Sequence, residues 1–83
     1  KILKNKKDVE VNAIFQDHIG YIWLGTNYGL VKYDGAEFKL FTEEDSLSDK
    51  NISSIYEDSK GNLWIGHKSG KISPLSQPSD QNS

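Results

Sequence analysis

Ile14 to Gly29 reads IFQDHIGYIWLGTNYG, and Ile55 to Gly70 reads IYEDSKGNLWIGHKSG. The two stretches align without a gap at an offset of 41 residues. Asp17 falls on Asp58, Gly20 on Gly61, Trp23 on Trp64, Gly25 on Gly66 and Gly29 on Gly70. Conservative pairs fill the interior: Phe15 with Tyr56, Ile22 with Leu63, Leu24 with Ile65. The chain is therefore an internal repeat, and the repeat has to be explained before anything else.

A period near 40 residues fits either a propeller blade or a pair of solenoid helices. The local pattern selects β. Val11, Ala13 and Phe15 alternate with Asn12 and, less cleanly, Ile14. Tyr21 to Leu24 is a run of strand formers, and the recurring glycines would break a helix. Four strands are predicted per repeat, at roughly 11–16, 21–25, 30–33 and 37–42. Asp17 to Gly20 has a turn mechanism, because an Asp carboxylate accepts backbone N–H groups just ahead of it and Gly takes positive φ. Asp34-Gly35 is a two-residue hairpin signal. Consecutive antiparallel strands in a unit of this length describe a blade. The expected fold is all-β, with antiparallel four-stranded blades of a β-propeller, about two blades in all. In the second unit, Pro74 aligns with Tyr33 and Leu75 with Asp34, so the outer strand is expected to fail. The predicted layout is 1–10 as an outer strand of a preceding blade, 11–50 as the first blade and its connecting loop, 51–73 as a partial second blade, and 74–83 as a polar linker or tail.

Composition narrows the function. With 83 residues, the chain can form one small and marginally stable unit. It has no cysteine, which removes disulfides, thiolate metal sites and a Cys nucleophile. His18 and His67 lie far apart in sequence, so no cofactor and no structural zinc are expected. Net charge is −2, with 10 basic and 12 acidic residues, which argues against nucleic acid as a partner. No apolar run reaches the ~20 residues of a membrane helix, so no direct membrane insertion is expected of this segment.

The repeated residues invite functional readings that mostly give way to structural ones. Asp17 and Asp58 resemble calcium or substrate carboxylates, yet calcium wants roughly six to eight oxygen ligands and no loop supplies them. Their turn role is the simpler one. Trp23 and Trp64 could stack on a sugar. Recurrence at fixed register instead suits packing between blades, where a Trp buries about 200 Å². Gly25, Gly29, Gly66 and Gly70 lack the Lys-Ser/Thr and the helix of a phosphate loop. Nothing places two of Glu43, Glu44, Asp45 and Asp49 across a shared cleft, as a glycosidase would need. The positions that differ between repeats are better candidates for specificity, since loop tips vary while a frame stays fixed. Asn27 and Tyr28, opposite Lys68 and Ser69, are the candidate ligand-binding pair, able to hold a sugar by hydrogen bonding and stacking.

The segments DHIGYIWLGTNYGLVKYDG and EDSKGNLWIGHKSG resemble the two-component regulator propeller repeat, from about Val11 to Ile72. That repeat runs Ile-x-x-Asp-x-x-Gly-x-Leu/Ile-Trp-Ile/Leu-Gly-Thr-x-x-Gly-Leu-x-x-Tyr/Phe. The second copy departs from it at Lys71, Ser73 and Pro74. The resemblance implies a non-catalytic, extracytoplasmic sensor region of a histidine kinase or hybrid two-component system, periplasmic in location, with a carbohydrate as one class of ligand. A structural or protein-interaction propeller and a propeller-fold carbohydrate-active enzyme are the alternatives. Two blades leave open sheet edges, so the partner is either the rest of a propeller or another copy of the chain.

Overall fold

The computed structural model describes residues 7–45 and 47–75. Seven strands follow in order: β1 Val11–Gln16, β2 Ile22–Thr26, β3 Gly29–Tyr33, β4 Phe38–Phe41, β5 Ile52–Glu57, β6 Leu63–His67 and β7 Ile72–Leu75. Within each of two sheets, consecutive strands pair antiparallel: a four-stranded sheet β1-β2-β3-β4 and a three-stranded sheet β5-β6-β7. A 3-10 turn, Glu43–Asp45, lies on the connection between them. The fold is all-β, and each sheet is one blade.

The repeat is visible in the register. Phe15 lies opposite Trp23, as Tyr56 lies opposite Trp64. The register slips between Val11 and Ala13, and again between Ile52 and Ser54. Such a bulge leaves one extra residue and turns the strand's end. It puts Val11 on the same face as Ile14, and Ile52 on the same face as Ile55. Sheet period 2 then sorts the rest. Phe15, Trp23, Gly25 and Leu30 share one face of the first blade. Ile52, Ile55, Leu63 and Ile65 share one face of the second. These two faces meet. Trp23, Leu30, Leu47, Ile52, Leu63 and Ile65 form the buried core, flanked by Phe15, Tyr21, Phe41, Ile55 and Leu75. Gly25 allows the close approach: a Cβ there would sit 2.5 Å from Ile52 Cγ2.

Four details differ from the sequence expectations. The β3–β4 hairpin centres on Gly35-Ala36 rather than Asp34-Gly35, since the Asp34 N–H donates to the Glu37 carbonyl at 3.3 Å. The β6–β7 connection is one residue longer than the β2–β3 connection. Gly66 lies opposite Ile72, whereas Gly25 lies opposite Leu30. Pro74 therefore sits opposite Trp64, in the place of Lys32 and not of Tyr33. Strand β7 takes in Pro74 and Leu75, which the sequence reading assigned to the tail; an edge strand tolerates a proline at positions whose nitrogen faces away from the neighbouring strand. Residues 7–10 form no strand. The rest of the expected 1–10 strand, and residues 76–83 of the expected tail, lie outside the described residues.

Candidate functional site

The β1–β2 turn is built around one carboxylate. Asp17 Oδ1 accepts the backbone N–H groups of Ile19, Gly20 and Tyr21 at 3.0, 2.9 and 2.9 Å. Its Oδ2 accepts the Trp23 indole N–H at 2.7 Å. Asp58 repeats the arrangement. Its Oδ1 accepts from the Lys60 and Asn62 N–H groups at 2.9 Å each, and its Oδ2 from the Trp64 indole at 3.0 Å. The Trp64 indole, then the Asn62 and Lys60 N–H groups, hold the Asp58 carboxyl below the usual carboxylate range. The six-residue Asp-to-Trp spacing was present in the sequence, where the two residues received separate roles. In the structure they are one unit. Gly20 and Gly61, at φ 111° and 86°, let the chain turn back beneath the carboxylate.

At this end of the sheets the blades are also latched to each other. The His18 N–H donates to Glu57 Oε1 at 3.0 Å, and the His18 ring Nδ1 meets Glu57 Oε2. The ring lies over Gly61, whose absent Cβ would be 2.9 Å from His18 Cε1.

The opposite end carries the β2–β3 and β6–β7 loops and the segments that lead into each blade. The structure places Asn27 and Tyr28 here together, and it gives both side chains work. Asn27 Oδ1 accepts the Glu10 N–H, and its Nδ2 donates to the Asp8 carbonyl, each at 2.9 Å. The Tyr28 hydroxyl donates to the Lys7 carbonyl at 2.7 Å. The Lys50 ammonium lies 5.4 Å from the centre of the Tyr28 ring. In the second blade, the Lys68 N–H donates to the Asn51 carbonyl at 3.1 Å, and the Ser69 hydroxyl to Asp49 Oδ2 at 2.7 Å. The Ser69 hydroxyl, the Asn51 N–H and the charges of His67 and Lys71 hold the Asp49 carboxyl below its usual range. Both loops thus tie down the segment entering their own blade.

One cluster at this end has the order of a hydrolase triad. His67 Nδ1 is 3.4 Å from Asp49 Oδ1, and its Nε2 is 2.7 Å from Ser73 Oγ. A nucleophile needs an open approach for its substrate. Ser73 is 1% exposed. Its Oγ accepts the Ser48 N–H at 2.8 Å and donates to Ser48 Oγ at 3.0 Å. The cluster therefore joins the inter-blade connection to β6 and β7. The sequence reading missed it because His67 stands where the first blade has Thr26, whose hydroxyl only closes its own loop onto Gly29. Among the described residues, no group of His, Cys, Asp and Glu is arranged to hold a metal ion. No described helix is long and apolar enough to cross a membrane.

The repeated Asp–Trp turn on a blade of this register has a match. The model of the two component regulator propeller family matches residues 5–28 and 46–69, more than half of the chain. The chain belongs to the two-component regulator propeller family. Both matched segments of the propeller repeat take in the first strand of a blade, the Asp–Trp turn and the Trp strand, and end in the loop after it. The family is a non-catalytic repeat. No curated protein matches the chain.

Proposed function

We propose that this chain forms blades of a non-catalytic propeller in the extracytoplasmic sensor region of a two-component signalling receptor. The observation that carries the reading is the pair of in-phase family repeats, each folded on the same Asp–Trp turn. The repeated Asp and Trp side chains, which a chemical reading would recruit, hold the frame. Signalling then depends on what the blades' loops present and on how the ring transmits force. The ligand class is an oligosaccharide, received at the end that carries Tyr28, where a half-exposed ring has a lysine ammonium beside it.

The test is calorimetric titration of neutral oligosaccharides into the intact receptor. Saturable binding, weakened about tenfold by Tyr28→Ala and retained by Tyr28→Phe, supports the reading; a tenfold loss is about 1.4 kcal/mol. Binding untouched by Tyr28→Ala moves the ligand to other blades. Hydrolysis of the glycan lost on changing Asp49 or His67 would overturn the non-catalytic reading. A second reading has its own support. Asn27 and Tyr28 are spent on the Lys7 to Glu10 segment, which suits a purely structural module. A receptor that signals fully while binding no sugar would favour that one.

A further inference from the structure

Two segments lead into the two blades, and the fold holds them differently. Before the second blade, Leu47 is buried in the shared core, and the Ser48 N–H donates to Ser73 Oγ at 2.8 Å. Ser73 and its partner His67 are themselves buried. Before the first blade these anchors are missing from the sequence. Lys6 and Lys7 stand where Leu47 and Ser48 do, and Thr26 takes the place of His67. Strand pairing puts Val31 in the place of Ser73. Lys7 to Glu10 is held instead by two side chains of the β2–β3 loop. Asn27 Oδ1 accepts the Glu10 N–H and its Nδ2 donates to the Asp8 carbonyl, each at 2.9 Å. The Tyr28 hydroxyl donates to the Lys7 carbonyl at 2.7 Å. The backbone bond common to both blades is the longer one here: Asn27 to Glu10 at 3.3 Å, against Lys68 to Asn51 at 3.1 Å. Under this hold Asp8 sits at φ 58°, the one non-glycine residue with positive φ among the described residues. A Cβ disfavours that conformation, so the latch acts against the chain's own preference.

We infer that Lys7 to Glu10 is a strap latched by Asn27 and Tyr28 and, on the sensing reading above, that a sugar taking those side chains releases it. A tyrosine hydroxyl has one proton to give. Here the Lys7 carbonyl receives it, and a sugar oxygen receives it only when Lys7 lets go. Tyr28→Phe takes that bond from strap and sugar alike, so the sugar is retained. Strap and sugar therefore oppose each other: a latched strap lowers the apparent affinity, and bound sugar favours the open strap. Release frees the chain on the N-terminal side of the first blade, because Leu47 and Ser48 fix the connection on its other side.

Asp8 is the lever for a test, since no bond of the latch uses its side chain. In the intact receptor, Asp8→Gly suits the positive φ and tightens the strap, whereas Asp8→Val cannot rest there and loosens it. Both variants remove the same charge, so they are compared with each other. Without sugar, the Glu10 and Asn27 amides should exchange hydrogen about tenfold faster in Asp8→Val than in Asp8→Gly. The matching Asn51 and Lys68 amides should exchange alike in both. Equal exchange at Glu10 and Asn27, or a change of the same size at Asn51 and Lys68, overturns the strap. In calorimetric titration with a panel of neutral oligosaccharides, Asp8→Val should bind about fivefold more tightly than Asp8→Gly. Equal affinities, or the reverse order, overturn the competition while leaving the sensing reading in place. If no oligosaccharide binds any form, the sensing reading fails and the competition with it, and the exchange result alone decides the strap.

Discussion

Trp23 and Trp64 occupy the same position in two copies of one motif, and they live in different surroundings. Each donates its indole N–H to an Asp six residues earlier, at 2.7 and 3.0 Å. Yet Trp23 is 2% exposed and Trp64 is 39% exposed. The hydrogen-bonded turn is thus a property of one repeat, written locally. Burial is a property of the neighbouring blade, which the first Trp has and the second does not. The first Trp also has partners in its own sheet that the second lacks: the Phe41 ring on β4 at 5.7 Å and the Lys32 ammonium on β3 at 5.6 Å from its centre, where Trp64 has Pro74 opposite. The local bond sets the indole's direction, and the next sheet makes that direction worth having.

The largest effect should come from deleting the two rings in turn. Trp23→Ala opens a cavity in the shared core and should cost about 3–5 kcal/mol. In a unit of this size that approaches its whole stability. Trp64→Ala removes a ring with one face uncovered, and its cost should be well under half as large. Urea denaturation at one fixed chain concentration measures both. Equal losses would mean that Trp64 is covered in solution.

The second comparison concerns the carboxylates. In Asp17→Asn, an amide can still accept backbone N–H groups with its oxygen. Its NH2 then faces the indole N–H, donor against donor, inside the core. The expected loss is about 2 kcal/mol, the range for a hydrogen bond to a charged group. Asp58→Asn makes the same change where water can reach the indole, so its loss should be the smaller of the two. Thermal melts of both variants check the order. A reversed order would show that the turn, and not the covered indole, carries the energy.

A third contrast lies in the glycines. Gly25→Ala places a methyl 2.5 Å from Ile52 Cγ2, so the blades must part or Ile52 must move. Overpacking of this kind should cost about 1–3 kcal/mol. Gly66→Ala clashes with the Ser54 hydroxyl of its own sheet, the far end of a side chain that can turn away, and otherwise meets Ser54 Cβ and the Ser53 hydroxyl at ordinary contact distance. The folded state should barely register the change. Thermal melts of the two variants separate these outcomes.

What the sequence revealed and what it hid divide along the same line. The strands were legible because their signals are local: a period of two, glycines at turns and an Asp opening each β1–β2-type connection. The predicted strand ends differ from the observed ones by about a residue. The loop length after His67 was not legible. Gly70 aligns with Gly29, but Gly29 opens a strand, whereas Gly70 lies inside a longer loop whose N–H donates back to the His67 carbonyl at 2.9 Å. One residue of difference there moves Pro74 by one pair and Ile72 onto the open face. Asn27 and Tyr28 looked free to bind because they vary between repeats. Their partners, Lys7, Asp8 and Glu10, lie 17 to 21 residues away, and no local pattern announces such contacts. The exposure of Trp64 was hidden for the same reason.

The smallest expected effect is one of pH, and it tests whether the Asp–Trp turn is electrostatic at its root. The Asp58 carboxyl titrates below its ordinary value, chiefly because the Trp64 indole donates to its ionised form, followed by the Asn62 N–H. A carboxyl held low in the folded chain stabilises it above the unfolded value, near pH 4, and that contribution disappears as the pH falls through the folded value. Asp34 and Asp49 behave likewise, through the Glu37 N–H and the Ser69 hydroxyl respectively. The wild type should therefore lose melting temperature on acidification below about pH 4. Asp58→Asn starts lower at neutral pH and loses less, so the gap between the two curves should narrow as acid is added. A gap of constant width would mean that the second turn is held by its backbone geometry alone. The two copies of the motif would then differ in chemistry as well as in burial.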